Sequence, residues 1–275
     1  MHRKIGACSW IFGDTDSRKI AQFWQSAGLD GIEYNPVMDV NNAREAKRIF
    51  TDHGLAIFSL TPPDADISIA DTLIRNKAVD CYYWLIDYAC QIGAPVISCH
   101  GLVGRIAAKT HTAEEDQLLL SSLISICNRA KSSGISVVFE VLNRYETHQI
   151  RNYKEAKALL LSAGQENLAL LLDSYHMNIE EPDPARSLLE AGTSLGLYHV
   201  ADSNREAPGR GHIDFVSQFR ALDDIAYQGP VILEINAPGP NPFSAIKGTN
   251  TQDIVASYLS ESVSYLRKLM KDKAA

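Results

Sequence analysis

The stretch Leu168-Ala-Leu-Leu-Leu-Asp-Ser-Tyr-His-Met-Asn-Ile-Glu-Glu181 decides the architecture of this chain. It opens as an unbroken apolar run, stops at Asp173, and reaches His176 three residues later. An apolar run with little alternation reads as a strand buried on both faces, as in a parallel sheet covered by helices. An acid at the end of such a strand does nothing for packing. In a closed barrel of parallel strands, however, it stands where active sites form, at the carboxyl ends of the strands. Taken alone, the stretch also permits a plainer account, in which Asp173 caps the next turn and His176 is a hydrogen-bonded core histidine.

The flanking sequence alternates short apolar strands with longer helical patterns from end to end. Strands are predicted at residues 5–10, 31–34, 55–60, 95–99, 135–141, 168–173, 195–200 and 231–235. Helices are predicted at 17–27, 42–52, 69–92, 112–132, 153–162, 183–191, 215–226 and 251–271. Gly28, His53-Gly54 and Gly93 supply stop signals. Thr112 and Glu115 have the spacing of a capping box. Eight βα units without a linker or domain break predict one domain over residues 1–275. That domain is α/β, a single (β/α)8 TIM barrel. No GxGxxG follows the first strand, which disfavours a dinucleotide-binding Rossmann unit. The Pro/Gly-rich loop at 237–249 lacks a regular period and reads as either a lid or a structural loop.

The chain has 275 residues, 45% apolar and 21% charged, with a formal net charge of −7. The length allows a large buried core. The acidic balance and the lack of a basic block disfavour a nucleic-acid surface. Cys8, Cys81, Cys90, Cys99 and Cys127 form no CxxC pair, so reduced thiols in a cytoplasmic protein are expected. The apolar stretch near the N-terminus is too short for a signal peptide, and no run approaches a membrane span.

Four consecutive strands share one feature. They read Val137-Val-Phe-Glu140, the run ending at Asp173, Gly196-Leu-Tyr-His199 and Val231-Ile-Leu-Glu234. Each is apolar until a residue able to bind metal, and in a barrel those ends are neighbours on one rim. Burying three carboxylates together is costly unless a cation neutralises them. Three carboxylates and one imidazole form a hard, oxygen-rich set suited to manganese, magnesium or cobalt. Two further positions of an octahedral shell remain for water or for vicinal oxygens of a polyol. The chemistry that fits is proton transfer beside a carbonyl. Glu140 and Glu234 stand three steps apart on the rim and so face a substrate from opposite sides. A base on one face and an acid on the other inverts a stereocentre, whereas a single base moving a proton between carbons interconverts aldose and ketose.

At these residues the sequence resembles the ketose 3-epimerases, the D-tagatose, D-allulose and L-ribulose 3-epimerase group of the xylose isomerase-like barrel superfamily. The resemblance rests on Glu140-Val-Leu-Asn-Arg-Tyr-Glu146, Asp173-Ser-Tyr-His-Met-Asn-Ile-Glu-Glu181, His199-Val-Ala-Asp-Ser-Asn-Arg205, Pro208-Gly-Arg-Gly211 and Leu233-Glu234. It covers the last four strands densely and the first half only in architecture. It implies that Glu140, Asp173, His199 and Glu234 bind a divalent metal, with Mn2+ first and Co2+ or Mg2+ next. It implies that Glu140 and Glu234 transfer protons at C3 of a free ketose. It further implies that Glu146, His176 and Arg205 bind the O1 to O3 end of the sugar, and that the enzyme is a homodimer or homotetramer. Departures from the family pattern fall at Asp202, at His212-Ile-Asp-Phe215 and at Ile235-Asn-Ala-Pro238, and they bear on sugar preference.

Each assignment has a plainer counterpart: Glu146 pairing with Arg144, His176 in the core, Arg205 bracing a loop. For Arg210, loop bracing is the favoured reading. Trp10, Glu33, Tyr34, Ser59 and His100 are candidates for the far end of the substrate, or equally for packing and support. Competing functions are an aldose–ketose or hydroxypyruvate-type isomerase on the same site, an abasic-site endonuclease and a non-catalytic sugar-binding barrel. The net charge of −7 and the few strand-end histidines disfavour the endonuclease.

Overall fold

The computed structural model describes residues 3–13, 16–36, 43–239 and 248–271. The strands are β1 Ile5–Cys8, β2 Gly31–Tyr34, β3 Ala56–Leu60, β4 Val96–Cys99, β5 Ser136–Glu140, β6 Leu168–Asp173, β7 Leu195–Val200 and β8 Val231–Leu233. They pair in sequence order, all parallel, and β1 returns to β8 with Ile5 opposite Val231, so the sheet is a closed barrel. The helices among the described residues are α1 Ser17–Ser26, α2 Ala43–Asp52, α3 Thr72–Ile92, α4 Thr112–Ser132, α5 Tyr153–Ala163, α6 Ser174–Glu180, α7 Pro184–Ala191, α8 Phe215–Asp224 and α9 Thr251–Lys271. Every strand has one face in the barrel and one under a helix. That is why β6 is almost wholly buried and needs an apolar run rather than alternation.

Side-chain bulk is distributed to let the barrel close. The Phe58 ring lies across Gly6 and Gly31, and a Cβ on Gly31 would come 2.5 Å from its Cε2. Outside the strands, Phe12, Trp24, Phe50 and Tyr88 fill the layer between helices and barrel, each at most 1% exposed.

The structure corrects several local expectations. The first strand ends at Cys8, and Ser9–Phe12 turns as a 3-10 helix, closed by Gly13 N donating to Trp10 O at 2.8 Å. The third helix begins at Thr72, where the Asp71 carboxylate accepts from Leu73 N and Ile74 N. A short helix absent from the sequence reading, α6, starts directly at the end of β6 and is capped by Asp173, which accepts from Tyr175 N at 2.6 Å. The expected capping box at Thr112 does not form, because His111 holds the N-cap position without a side-chain bond.

Glu115 is drawn instead into a buried ion pair with Arg105 at 2.5 Å, and it also accepts from Lys109 N and Thr110 N. Arg105 reaches Asp66 at 3.0 Å as well, so one guanidinium ties together the segments that follow β3 and β4 and the start of α4. β8 is only three residues long, but Glu234 N still donates to Val200 O at 3.0 Å, which keeps Glu234 on the rim. Residues 240–247 of the Pro/Gly-rich loop, and Asn42 at the expected start of the second helix, lie outside the described residues.

Candidate active site and metal centre

Parallel strands in register deliver Glu140, Asp173, His199 and Glu234 to one end of the barrel. Asp173 stands opposite His199 in the β6–β7 ladder, and Glu140 opposite Leu171 in the ladder before it. One ligand atom from each of the four residues lies within 4.8 Å of all the others, and all four are buried. His199 Nδ1 is 3.1 Å from Glu234 Oε2 and 3.9 Å from Glu140 Oε1. Its other nitrogen, Nε2, faces Glu33 Oε2 at 3.2 Å. Glu33 in turn accepts from Ser59 Oγ at 2.5 Å, Thr61 Oγ1 at 3.3 Å and the Cys8 thiol at 3.6 Å. A carboxylate behind a histidine fixes the ring and its tautomer, the arrangement that supports metal-binding histidines. Nδ1 is therefore the nitrogen turned toward the acids.

The electrostatics describe a site short of positive charge. Burial, and then the Glu234 carboxylate, push Glu140 well above the usual carboxylate range, against the pull of His199. Burial disfavours charge on His199, yet Glu33 and Glu234 raise it well above an ordinary histidine. Asp173 is held low despite burial, chiefly by Arg205 and then His176. Arg205 bridges two of the acids, donating from Nη1 to Asp173 Oδ2 at 2.6 Å and from Nη2 to Glu234 Oε2 at 2.5 Å. Even with that guanidinium in place, Glu140 is forced toward its neutral form. The donor set is hard and oxygen-rich, its atoms converge, and a divalent cation supplies the missing charge, so the residues fit such an ion. Cys8 joins His199 and Glu234 in a second, overlapping group of potential ligands.

Glu140 and Glu234 line a cavity of about 490 Å3 together with Glu146, His176 and Arg205. Its remaining wall is largely apolar, including Trp10, Trp84, Leu85, Pro62 and Pro63. A mostly apolar cleft with a few convergent polar groups is the usual form of a small-molecule site. Burial lowers His176 to about 4, so the ring is neutral near pH 7. Burial also raises Glu146. Arg205 takes a left-handed backbone, φ +62°, and its guanidinium stacks 4.6 Å above the Tyr175 ring. A non-glycine residue held there is backbone strain of the kind that clusters at functional sites.

A profile of the xylose isomerase-like TIM barrel family matches residues 21–259. A ketose 3-epimerase of Arthrobacter globiformis is 33% identical over 241 residues, covering 84% of this chain and 83% of the relative. The chain belongs to the ketose 3-epimerase family. An L-ribulose 3-epimerase of Mesorhizobium japonicum is 30% identical over 260 residues, 91% of this chain and 81% of that one. Among solved structures, a D-allulose 3-epimerase from Methylomonas sp. aligns with a TM-score of 0.84 at 26% identity, covering 97% of this chain and 98% of the other. As a member of the ketose 3-epimerase family, the chain is a carbohydrate isomerase of the epimerase class.

Within that family frame, the structure brings together all seven residues singled out from the sequence. Glu146 does not pair with Arg144, which instead forms a two-pronged bond to Glu180 at 2.8 Å per contact. Arg205 is half-buried and paired with two site acids rather than bracing a surface loop. Arg210 is the loop brace expected, bound to Glu261 at 2.8 Å and 3.0 Å and stacked on Tyr258. Trp10, Glu33 and His100 line the cavity, whereas Tyr34 packs on Phe50 and Ser59 serves Glu33.

Sequence reasoning missed two contributors, Tyr175 under Arg205 and Asn143 between Glu146 and His176, and it named Glu33 as a candidate for substrate contact or support without its part as the anchor of His199. Tyr175 and Asn143 lie inside the quoted motifs, which was the available signal. The role of Glu33 had none, since its partner is 166 positions away.

Proposed function

We propose that this chain is a metal-dependent epimerase that inverts C3 of a free ketose of the D-tagatose, D-fructose/D-allulose or L-ribulose type. The observation that carries the reading is the placement of Glu140 and Glu234. They sit on nonadjacent strand ends, both lining one cavity, with His199 between them. One glutamate removes the C3 proton while the electron pair shifts onto the C2 carbonyl oxygen, giving a cis-enediolate. The other returns a proton to the opposite face of C3, and the glutamates exchange roles in the reverse direction. Arg205, His176 and Glu146 supply the donors and acceptor that hold the O1 to O3 end of the sugar in place. Glu140, Asp173, His199 and Glu234 would hold the divalent cation, Mn2+ before Co2+ or Mg2+, and the bound ion would supply Lewis-acid stabilisation of charge developing on substrate oxygens. A homodimer or homotetramer in the cytoplasm completes the reading. Among the described residues no helix is long and apolar enough to cross a membrane.

Product analysis tests it. Purified protein is incubated with a panel of free ketoses, with Mn2+ or with a chelator, and the sugars are identified by NMR. A C3 epimer formed only with metal is the expected result. An aldose product would move the chain to the aldose–ketose isomerases that share this scaffold.

A further inference from the structure

His176 has two ring nitrogens in different surroundings, and the difference decides what it presents to the substrate. Nδ1 lies 2.7 Å from Asn143 Nδ2 and 3.3 Å from the backbone N of Asn143. The orientation of the Asn143 amide is settled independently, because its Oδ1 accepts from Tyr145 N at 2.8 Å, and a backbone N–H only donates. Nδ1 therefore meets two donors and no nearer acceptor. Even with the side-chain amide reversed, the backbone N–H would still point at it. A nitrogen facing donors keeps its lone pair, so the ring proton sits on Nε2. Nε2 is on the cavity side, 4.0 Å from Glu140 Oε1. The same Asn143 amide also donates to Glu146 Oε1 at 2.9 Å. Asn143 is itself 1% exposed, and its carbonyl accepts from the backbone N of Glu146 and of Thr147, which locks the turn that carries it.

We propose that Asn143 is a positioning residue that fixes His176 as the Nε2–H tautomer and yokes it to Glu146. The two cavity-facing groups are then held as a matched set, a donor on His176 and an acceptor on Glu146. The opposite tautomer would aim a lone pair at Glu140 and at any substrate oxygen that gains negative charge, which is repulsive when charge develops. Asn143 touches neither the reacting carbon nor the metal ligands, and it acts through the ring. The assignment rests on the epimerase reading for its meaning but not for its test.

The test reads the ring directly by long-range proton–nitrogen NMR on histidine-labelled protein near pH 7, with diamagnetic Mg2+ in excess. The His176 signals are those missing from His176→Gln. An unprotonated Nδ1 and a protonated Nε2 are expected in the wild type. Asn143→Asp places a carboxylate acceptor at Nδ1 in the same shape. It should bring a proton onto Nδ1 and lower kcat/KM by about 10–100-fold, the range for a lost supporting contact, with kcat falling more than KM rises. A wild-type ring protonated on Nδ1, or an Asn143→Asp ring indistinguishable from wild type, would overturn the assignment. The wild-type spectrum alone suffices should the variant fold poorly. A wild type that epimerises no ketose would count against the C3 reading and leave the ring assignment untouched.

Discussion

Glu234, a proton-transfer group, and Arg205, a substrate-holding group, have distinct expected signatures in the proposed chemistry. Glu234→Gln keeps the shape and removes the proton-transfer group. Epimerisation should fall about 10²–10⁴-fold with the circular dichroism spectrum, and the unfolding midpoint of the chelator-treated protein, little changed. Retention of most activity would remove Glu234 from the mechanism. Arg205 holds Asp173 and Glu234 by separate nitrogens and stacks on Tyr175, which needs a planar fork. Arg205→Ala should raise KM for the ketose at least tenfold, and Arg205→Lys should not restore it. An unchanged kcat/KM would return Arg205 to a structural role. The strand-end acids were legible because a charge closing an apolar run contradicts its surroundings. Glu33 closes no such run: Gly31-Ile-Glu-Tyr34 has the charge inside the strand, and its partner His199 is far away in sequence.

Element boundaries followed local chemistry where local chemistry was in charge. β2, β6 and β7 and helices α4 and α9 begin and end where the apolar pattern places them. α6 escaped because its N-cap is Asp173, already the last residue of a strand, and seven residues give too short a pattern to read. The capping box at Thr112 failed because a buried guanidinium outcompetes a helix end for Glu115. Arg105→Met should show how much that pair matters. Glu115 and Asp66 would be left buried without their guanidinium, Glu115 keeping the backbone N–H groups of Lys109 and Thr110 and the His148 ring at 2.8 Å, and the stability loss should be about 3 kcal/mol near pH 7 by urea titration.

The pH dependence follows from the sign of the Glu115 shift. Burial raises its pKa, but Arg105 and two backbone N–H groups bring it down to about 2 from an ordinary 4.5. Its contribution is thus fully present above pH 4.5 and is lost as pH falls toward 2. The gap between wild type and Arg105→Met should narrow over that interval. A gap that stays constant down to pH 2 would contradict the account.

At the scale of the molecule, closure of eight parallel strands is what turns four scattered residues into one site. No local pattern contains the distance between Glu140 and Glu234, and only the barrel topology does. The same closure makes metal binding a property of the folded state alone, so the ion should stabilise the fold. Thermal unfolding with Mn2+ at roughly a thousand times Kd should gain about 4 kcal/mol over chelator-treated protein, and Asp173→Asn should lose most of that gain. An identical midpoint with and without the ion would argue against the centre. The most direct measurement is proton exchange at carbon. Free ketoses incubated in heavy water with the Mn2+-loaded protein should acquire deuterium at C3 as the C3 epimer appears, and neither should occur with chelator present. Deuterium at C1 or C2 with an aldose product, or no exchange into any ketose, would contradict it.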